Sequence, residues 1–563
     1  MPEDDGIPLG YEQGERAVII GGCARSGLGW SEGWRCGRSC FREIHVDGTL
    51  NPDGKVGISS IKAYHVALGL VLAAPAAVAI AQNPRSSSPD WAAFDKYVAQ
   101  TARDWRVPGM AIAVVHGDSL VFARGYGLRK VGAGDQVDEH TRFAIGSTTK
   151  AMTAAALAML VDDGKLRLDD RVIDHIPDFQ LADPWVTREV TIRDLLLHRT
   201  GLPGTDGLWT RFAYSPEEML RRLRYVKPNS SFRSRWDYQN VMYGVAGMVV
   251  ERASGMSWES FLRTRIFAPL GMTETEPLVD GILSKPNVAT PHALRADSVR
   301  ITRLGNTDSI APAGSVWSSV SDMSKWMRFV LDSGRVGSRR LISAASFREL
   351  VTPQIQAPMS LYPALQLSRP HSFSYGLAWF IHDYRLQPVW MHTGSISGMS
   401  AILGLMPASR AGVVVLLNLD HAELRHSLMY QAFDQFLGGT PRDWSAEMRS
   451  LMAAPRGPGP NVAGNAPAPA GPSLPLDKYT GVFVDSTYGK IQVMLADGVL
   501  RAQVEDERPV DLEPAGNERF RSRTPGDGQG TVLTFVPDGA GNVSAVRLSG
   551  TMLFNRVSTA GRR

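Results

Sequence analysis

The chain has 563 residues, of which 44% are hydrophobic and 21% charged, and a formal net charge of +4. This composition supports a sizeable core, and the length suggests roughly 3 to 5 domains. So weak a charge, with no dense Lys/Arg tract, argues against nucleic acid as a partner. The three cysteines, Cys23, Cys36 and Cys40, all lie near the start, so the rest of the chain needs no disulfide and offers no thiol chemistry.

Residues 1–61 are rich in glycine and charge and show no clear periodicity, which predicts a non-structural extension. The stretch KAYHVALGLVLAAPAAVAIAQ follows, with a lysine, an apolar run and Ala79-Ile80-Ala81. This is the pattern of a secretory signal over 62–81, cleaved after Ala81. Its apolar run is about 16 residues, short of the ~20 needed to span a bilayer. No cysteine follows it, so no lipoprotein anchor is expected. The mature protein is therefore expected in the periplasm or secreted, without a stable membrane span. A signal belongs near an N-terminus, so the expected true start is further down the chain, with Val56 the candidate.

A catalytic region is expected over 88–440. SPDWAAFDKYVAQTARDW has apolar residues at three- and four-residue spacing behind a Ser/Asp cap and predicts a helix. GMAIAVVHG and SLVFARGYG, split by Gly117-Asp118, predict a hairpin. An apolar, alanine-rich helix is expected from about Ser147. TIRDLLLHRTGLPG and SVSDMSKWMRFVLDSG read as capped helices within a mainly helical stretch. Strands return in SYGLAWFIHDY, VWMHTGSISG, MSAILGLMP and GVVVLLNL, and LRHSLMYQAFDQFLGG is a closing helix. Strands at both ends with helices between predict an α/β (α+β) fold, one sheet flanked by helices and assembled from both ends, with a helical insertion.

Residues 453–475 form a Pro/Ala/Gly linker. Beyond it, 476–558 carry six short strand-like runs, YTGVFVD, GKIQVML, VLRAQVE, TVLTFVP, VSAVRLS and TMLFNRV. They predict a small antiparallel β-barrel or sandwich.

The chemistry lies in three short motifs. Ser147 and Lys150 are three apart on the expected helix and share a face. A serine needs a base, and a lysine serves if burial lowers its pKa. The serine's own N–H at a helix start can face an oxyanion. Tyr238 and Asn240 follow in WDYQNVMYG: a tyrosine near a lysine is expected to have a depressed pKa and relay a proton, and Asn240 to offer its amide to a substrate carbonyl. Last comes WMHTGSISG, a strand edge with small Gly394 along which a substrate can lie. There Ser395 N–H is the expected second oxyanion donor, and His392 and Thr393 are expected to bind a substrate carboxylate or polar group. Each motif alone has an ordinary explanation: a capping serine beside a solvated lysine, a structural tyrosine, a structural strand histidine. Ser59–Lys62 has the same spacing where catalysis is implausible. The order of all three carries the assignment.

In that order the motifs resemble the class C β-lactamase and penicillin-binding serine hydrolase family, whose pattern is Ser-x-x-Lys, Tyr-x-Asn and Lys/His-Thr-Gly. The resemblance spans roughly residues 90 to 440. It implies a β-lactamase/transpeptidase-like sheet beside an all-helical subdomain, with the site between them. It implies Ser147 as acylated nucleophile, Lys150 as its activator, Tyr238 assisting acylation or deacylation, Asn240 orienting the substrate, and an oxyanion hole from the N–H groups of Ser147 and Ser395. It implies a small-molecule or peptide substrate and neither metal nor organic cofactor. Class C β-lactamases usually carry lysine where His392 stands, so a peptidase or esterase acting on D-amino-acid substrates is the expected type. The alternatives are a true class C β-lactamase and a penicillin-binding sensor without turnover. Replacing His392 by lysine is expected to improve carboxylate-bearing β-lactams. The C-terminal β-domain resembles lipocalin-like accessory domains, with a role in gating or partner binding left open, as is the oligomeric state.

Two other motifs are set aside. GWSEG (29–33) has nucleophile-elbow spacing but no convincing strand before it. The histidines of HAELRH (421–426) are one residue too far apart for a zinc-protease helix.

Overall fold

Strict alternation shapes the first strands after residue 88. In β1 (Gly109–His116), Met110, Ile112 and Val114 enter one core while Ala111, Ala113 and Val115 enter another. A period of two puts successive side chains on opposite faces, so a strand apolar throughout must be covered on both sides. On one side lie Phe94 and Val98 of α1 (Trp91–Asp104), which Asp90 caps through two backbone N–H groups. The structure, a computed structural model, describes residues 46–50, 56–61, 89–295, 298–420, 422–438, 440–453, 471–523, 530–548 and 552–557. The three cysteines, the signal-like segment, Gly29–Gly33, His421 and most of the linker lie outside them. Within 1–61, Val46–Leu50 pairs antiparallel with Val56–Ile61, a short hairpin in a stretch whose sequence shows no period.

β1 turns through Gly117, at φ 57°, into β2 (Ser119–Gly127). The 3₁₀ turn Gly146–Thr149 leads into the helix α2 (Lys150–Asp162), buried on every side from Lys150 to Leu160. A helix apolar all round belongs in the middle of a domain. α3 (Asn240–Ser254) packs against α2, while α4 (Val320–Leu331) packs on the sheet at β1. The chain then lays down β3 (Ile355–Gln356), β4 (Phe373–Tyr375), β5 (Phe380–Tyr384), β6 (Gln387–Ile396), β7 (Met399–Met406) and β8 (Ala411–Leu417). The eight strands form one antiparallel sheet in the order β3-β4-β5-β6-β7-β8-β1-β2. It is assembled from both ends of the domain, as the sequence pattern implied. The tight β6–β7 turn uses Ser397 and Gly398, both at positive φ, which suits the twist of a hairpin.

Helix α5 (Leu424–Leu437) returns over the sheet beside α1. A further helix, α6 (Trp444–Ala453), continues the packing past residue 440: Trp444 is buried and stacks on Tyr430 at 4.6 Å.

After the linker, eight strands close an antiparallel barrel: β9 (Gly481–Asp485), β10 (Gly489–Ala496), β11 (Val499–Val504), β12 (Val510–Gly516), β13 (Arg519–Ser522), β14 (Val532–Pro537), β15 (Val543–Leu548) and β16 (Met552–Arg556). β16 pairs back onto β9. Phe483, Ile491, Leu500, Phe520, Phe535 and Phe554 fill the interior. Six of these strands were expected; β12 and β13 are additional. The barrel docks on the stretch 207–222. Tyr214 Oη donates to the Tyr488 carbonyl at 3.0 Å and Glu505 at 2.8 Å, Arg222 to the Thr487 carbonyl at 3.0 Å, and Arg211 pairs with Glu507 at 3.0 Å. Among the described residues no helix is long and apolar enough to cross a membrane.

Candidate active site

Ser147 sits in the 3₁₀ turn, not in the α-helix the sequence suggested; α2 begins at Lys150. In a 3₁₀ turn residues i and i+3 eclipse, so the pair still faces one way. Lys150 Nζ lies 3.1 Å from Ser147 Oγ. Ser147 is half-buried, whereas Lys150 is fully enclosed.

Two other atoms complete the surroundings of that nitrogen. Asn240 Oδ1 accepts from it at 2.7 Å and the Ala313 carbonyl at 2.9 Å. Neither can donate in return. The Asn240 amide is oriented by its other end, since Nδ2 donates to Asp206 Oδ1 at 3.0 Å. A neutral Lys150 amine therefore spends both N–H bonds on Asn240 and Ala313 and turns its lone pair toward the Ser147 hydroxyl. Burial lowers its pKa to about 7, against the opposing pull of the Asp206 carboxylate. The rings of Tyr238 and Tyr243 face Nζ at 4.7 and 5.1 Å.

Tyr238 corrects one expectation. Its phenol is pushed well above 10 by burial, reinforced by Tyr375 and only partly relieved by its hydrogen bond with Ser147. A phenol so enclosed stays protonated, so it is a proton donor near Ser147 and not a phenolate. The adjoining Gln239 ties the motif to the loop before it. Its N–H donates to His198 Nδ1 at 3.0 Å, and its side chain bonds Thr200 and the Leu202 carbonyl.

Strand β6 supplies the opposite wall. β5 pairs with it only as far as Met391, so from His392 to Ile396 that edge has no strand partner among the described residues. The edge comes against the Ser147 turn at two glycines. A Cβ on Gly394 would collide with the Ile145 carbonyl, and one on Gly146 would lie 2.8 Å from Ser395 N. Gly146 also has φ 52°, a left-handed conformation that favours glycine. The start of the Ser395 segment thus lies directly against the turn that carries Ser147.

His392 is the second correction. It is buried, and both ring nitrogens are engaged, Nδ1 with the Thr393 carbonyl at 2.7 Å and Nε2 with Tyr375 Oη at 3.0 Å. Burial, with the Lys150 charge adding to it, pushes its pKa down to about 3. It is a neutral wall between Phe380, Tyr375 and Tyr238, not a carboxylate ligand. Thr393 shares a hydrogen bond with Tyr362 Oη at 2.8 Å.

Three contributors escaped the motif reading. Asp206 arrives from a glycine-rich loop and Ala313 through its backbone, which no side-chain motif records. Arg425, at the start of α5, donates to the Gly394 carbonyl and Ser395 Oγ, each at 2.7 Å, and pairs with Glu423 at 3.1 Å. Among the described residues no group of acidic, histidine or cysteine side chains is arranged to hold a metal.

Residues 94–435 match the Beta-lactamase family, and residues 465–559 match a domain of unknown function, DUF3471. The chain is 29% identical over 442 residues to unguisins hydrolase ungD of Aspergillus violaceofuscus, covering 73% of this chain and 78% of that protein. It is 30% identical over 375 residues to penicillin-binding protein 4 of Amycolatopsis lactamdurans, covering 63% of this chain and 90% of the relative. The octameric penicillin-binding protein homologue from Pyrococcus abyssi shares its fold, with a TM-score of 0.55 at 21% identity over 83% of this chain and 100% of the other.

Proposed function

The chain belongs to the Beta-lactamase family, and from that premise we propose that it is an exported serine hydrolase that cleaves amide or ester bonds through an acyl-enzyme on Ser147. The observation that carries the proposal is the Lys150 amine, enclosed, held by two pure acceptors, and 3.1 Å from the Ser147 hydroxyl. A hydrolase among the relatives supports the same activity.

Ser147 Oγ attacks the acyl carbon as its proton passes to Lys150. The carbonyl oxygen gains negative charge between the N–H groups of Ser147 and Ser395. When the tetrahedral centre collapses, the leaving amine or alkoxide takes the Tyr238 proton, and the Lys150 ammonium restores it. Water then attacks the ester with its proton drawn by the same pair, releasing the acid and regenerating Ser147. Over the cycle the proton from Ser147 departs on the leaving group by way of Lys150 and Tyr238, and a proton from the attacking water replaces it on Ser147.

We favour a peptidase or esterase acting on D-amino-acid substrates over a β-lactamase, because His392 is neutral and among the described residues no free cation stands beside it to meet a β-lactam carboxylate. Export rests on the signal-like segment at 62–81. The test is turnover of a short-chain p-nitrophenyl ester and a chromogenic β-lactam by the protein and by Ser147→Ala. Ester turnover lost by ~10³-fold or more in the variant supports the proposal; activity that survives the substitution defeats it.

A further inference from the structure

Near Ser147, among the described residues, the positive charges of Arg425 and Lys150 are already engaged. Arg425 is 4% exposed and paired with Glu423. Burial works against the Glu423 carboxylate, but His426 and Arg425 beside it keep it ionised. Lys150 is sealed from solvent and His392 is neutral.

Asp206 is the exception. It is exposed and forms no ion pair among the described residues. Its Oδ1 takes both incoming hydrogen bonds, from Asn240 Nδ2 and Trp209 Nε1, each at 3.0 Å, and its Oδ2 takes none among the described residues. The chain of contacts from Asp206 to Asn240, Lys150 and Ser147 runs through steps of 3.0, 2.7 and 3.1 Å, so the carboxylate stands close to the reacting centre.

The barrel builds the other side of this position. A Cβ on Gly207, the next residue, would lie 2.6 Å from Met552 Cε and 3.1 Å from Tyr488 Cε1. Burial and neighbouring carboxylates, Asp206 among them, push the Tyr488 phenol up to about 12, so it stays neutral. A carboxylate whose Oδ2 takes no hydrogen bond among the described residues suits an organic ammonium, which gains from the charge-assisted hydrogen bond.

We propose that Asp206, walled by Tyr488 and Met552 of the barrel, is a subsite for a substrate ammonium group close to the scissile bond. The substrate class is then amine-bearing acyl compounds, such as peptides or esters with a free amino group, and the barrel is part of the specificity site. The proposal rests on Ser147 hydrolysis for its catalytic meaning, but the subsite itself is a binding property.

The test is competitive inhibition of p-nitrophenyl acetate hydrolysis by racemic alaninamide and by N-acetylalaninamide. Alaninamide should have an inhibition constant about tenfold lower. Asp206→Asn, which keeps an oxygen for Asn240, should remove that advantage. In the wild type the advantage should also fade above pH about 8, where an α-ammonium loses its proton. Equal inhibition by the two amides, or an advantage that survives Asp206→Asn or high pH, overturns the subsite. Failure to hydrolyse p-nitrophenyl acetate counts instead against the serine hydrolase assignment. The same comparison is then made by calorimetric binding of the two amides to the full-length protein, with the same outcomes deciding.

Discussion

Gly394 of the strand edge presses directly on the Ile145 carbonyl, two residues before Ser147, with no room for a methyl group between them. That contact sets the separation between the nucleophile's turn and the wall carrying Ser395. Gly394→Ala must push the two apart. We expect kcat for ester hydrolysis to fall ~10²-fold, the usual cost of a misplacement near 1 Å, with about 1–3 kcal/mol lost in stability. Steady-state kinetics and denaturant melts read both; a variant with wild-type kcat would show that this spacing is not critical.

Activity should follow Lys150. Its neutral form is the base, so kcat/KM should rise as pH increases through about 7 and flatten above it. Asp206 holds the ammonium form in place, so Asp206→Asn should lower the Lys150 pKa and move the acid limb to lower pH. A pH–rate profile on a neutral ester tests both; an acid limb that moves upward contradicts the assignment.

A lysine at residue 392 should not create a carboxylate site. His392→Lys would bury a second amine among Phe380, Tyr375 and Tyr238 and near Lys150. An uncompensated buried charge costs about 3–5 kcal/mol, so the melting temperature should drop and β-lactam affinity should not improve. A stable variant with tighter β-lactam binding would restore the role that the motif alone suggested.

Arg425 supports the Ser395 strand from behind. Arg425→Met leaves Glu423 without its cation and the Gly394 carbonyl without its donor. We expect about 3–5 kcal/mol of destabilisation and a lower kcat. Replacing Glu423 by Gln in the same chain should recover part of the stability, measured by chemical denaturation, because the unpaired charge is then gone.

The motifs were legible because their geometry is local. Ser147–Lys150 needs only one turn, and β6 needs only alternation and a small residue at Gly394. Their surroundings arrive from far along the chain: Asp206 lies 34 positions before Asn240, and the Ala313 carbonyl 163 positions after Lys150. The charge states were equally hidden. Burial keeps Tyr238 protonated and His392 neutral, and burial is a property of the packed fold, not of a three-residue motif. The two barrel strands beyond the expected six have a related cause. Leu512 and Phe520 point inward between exposed or half-exposed Asp511, Glu513, Arg519 and Arg521, and Pro514 interrupts the pattern. Their turn, Asn517-Glu518, follows directly on Gly516, and all three residues are at positive φ.

The most direct test of the central claim is to locate the acyl group. The protein would be quenched in acid during turnover of an activated ester, and its peptides mapped by mass spectrometry. An acyl mass on the peptide containing Ser147, absent from Ser147→Ala and diminished in Lys150→Ala, is the predicted result. Rapid ester turnover with the adduct on another residue would contradict the assignment of Ser147 and Lys150 as nucleophile and base.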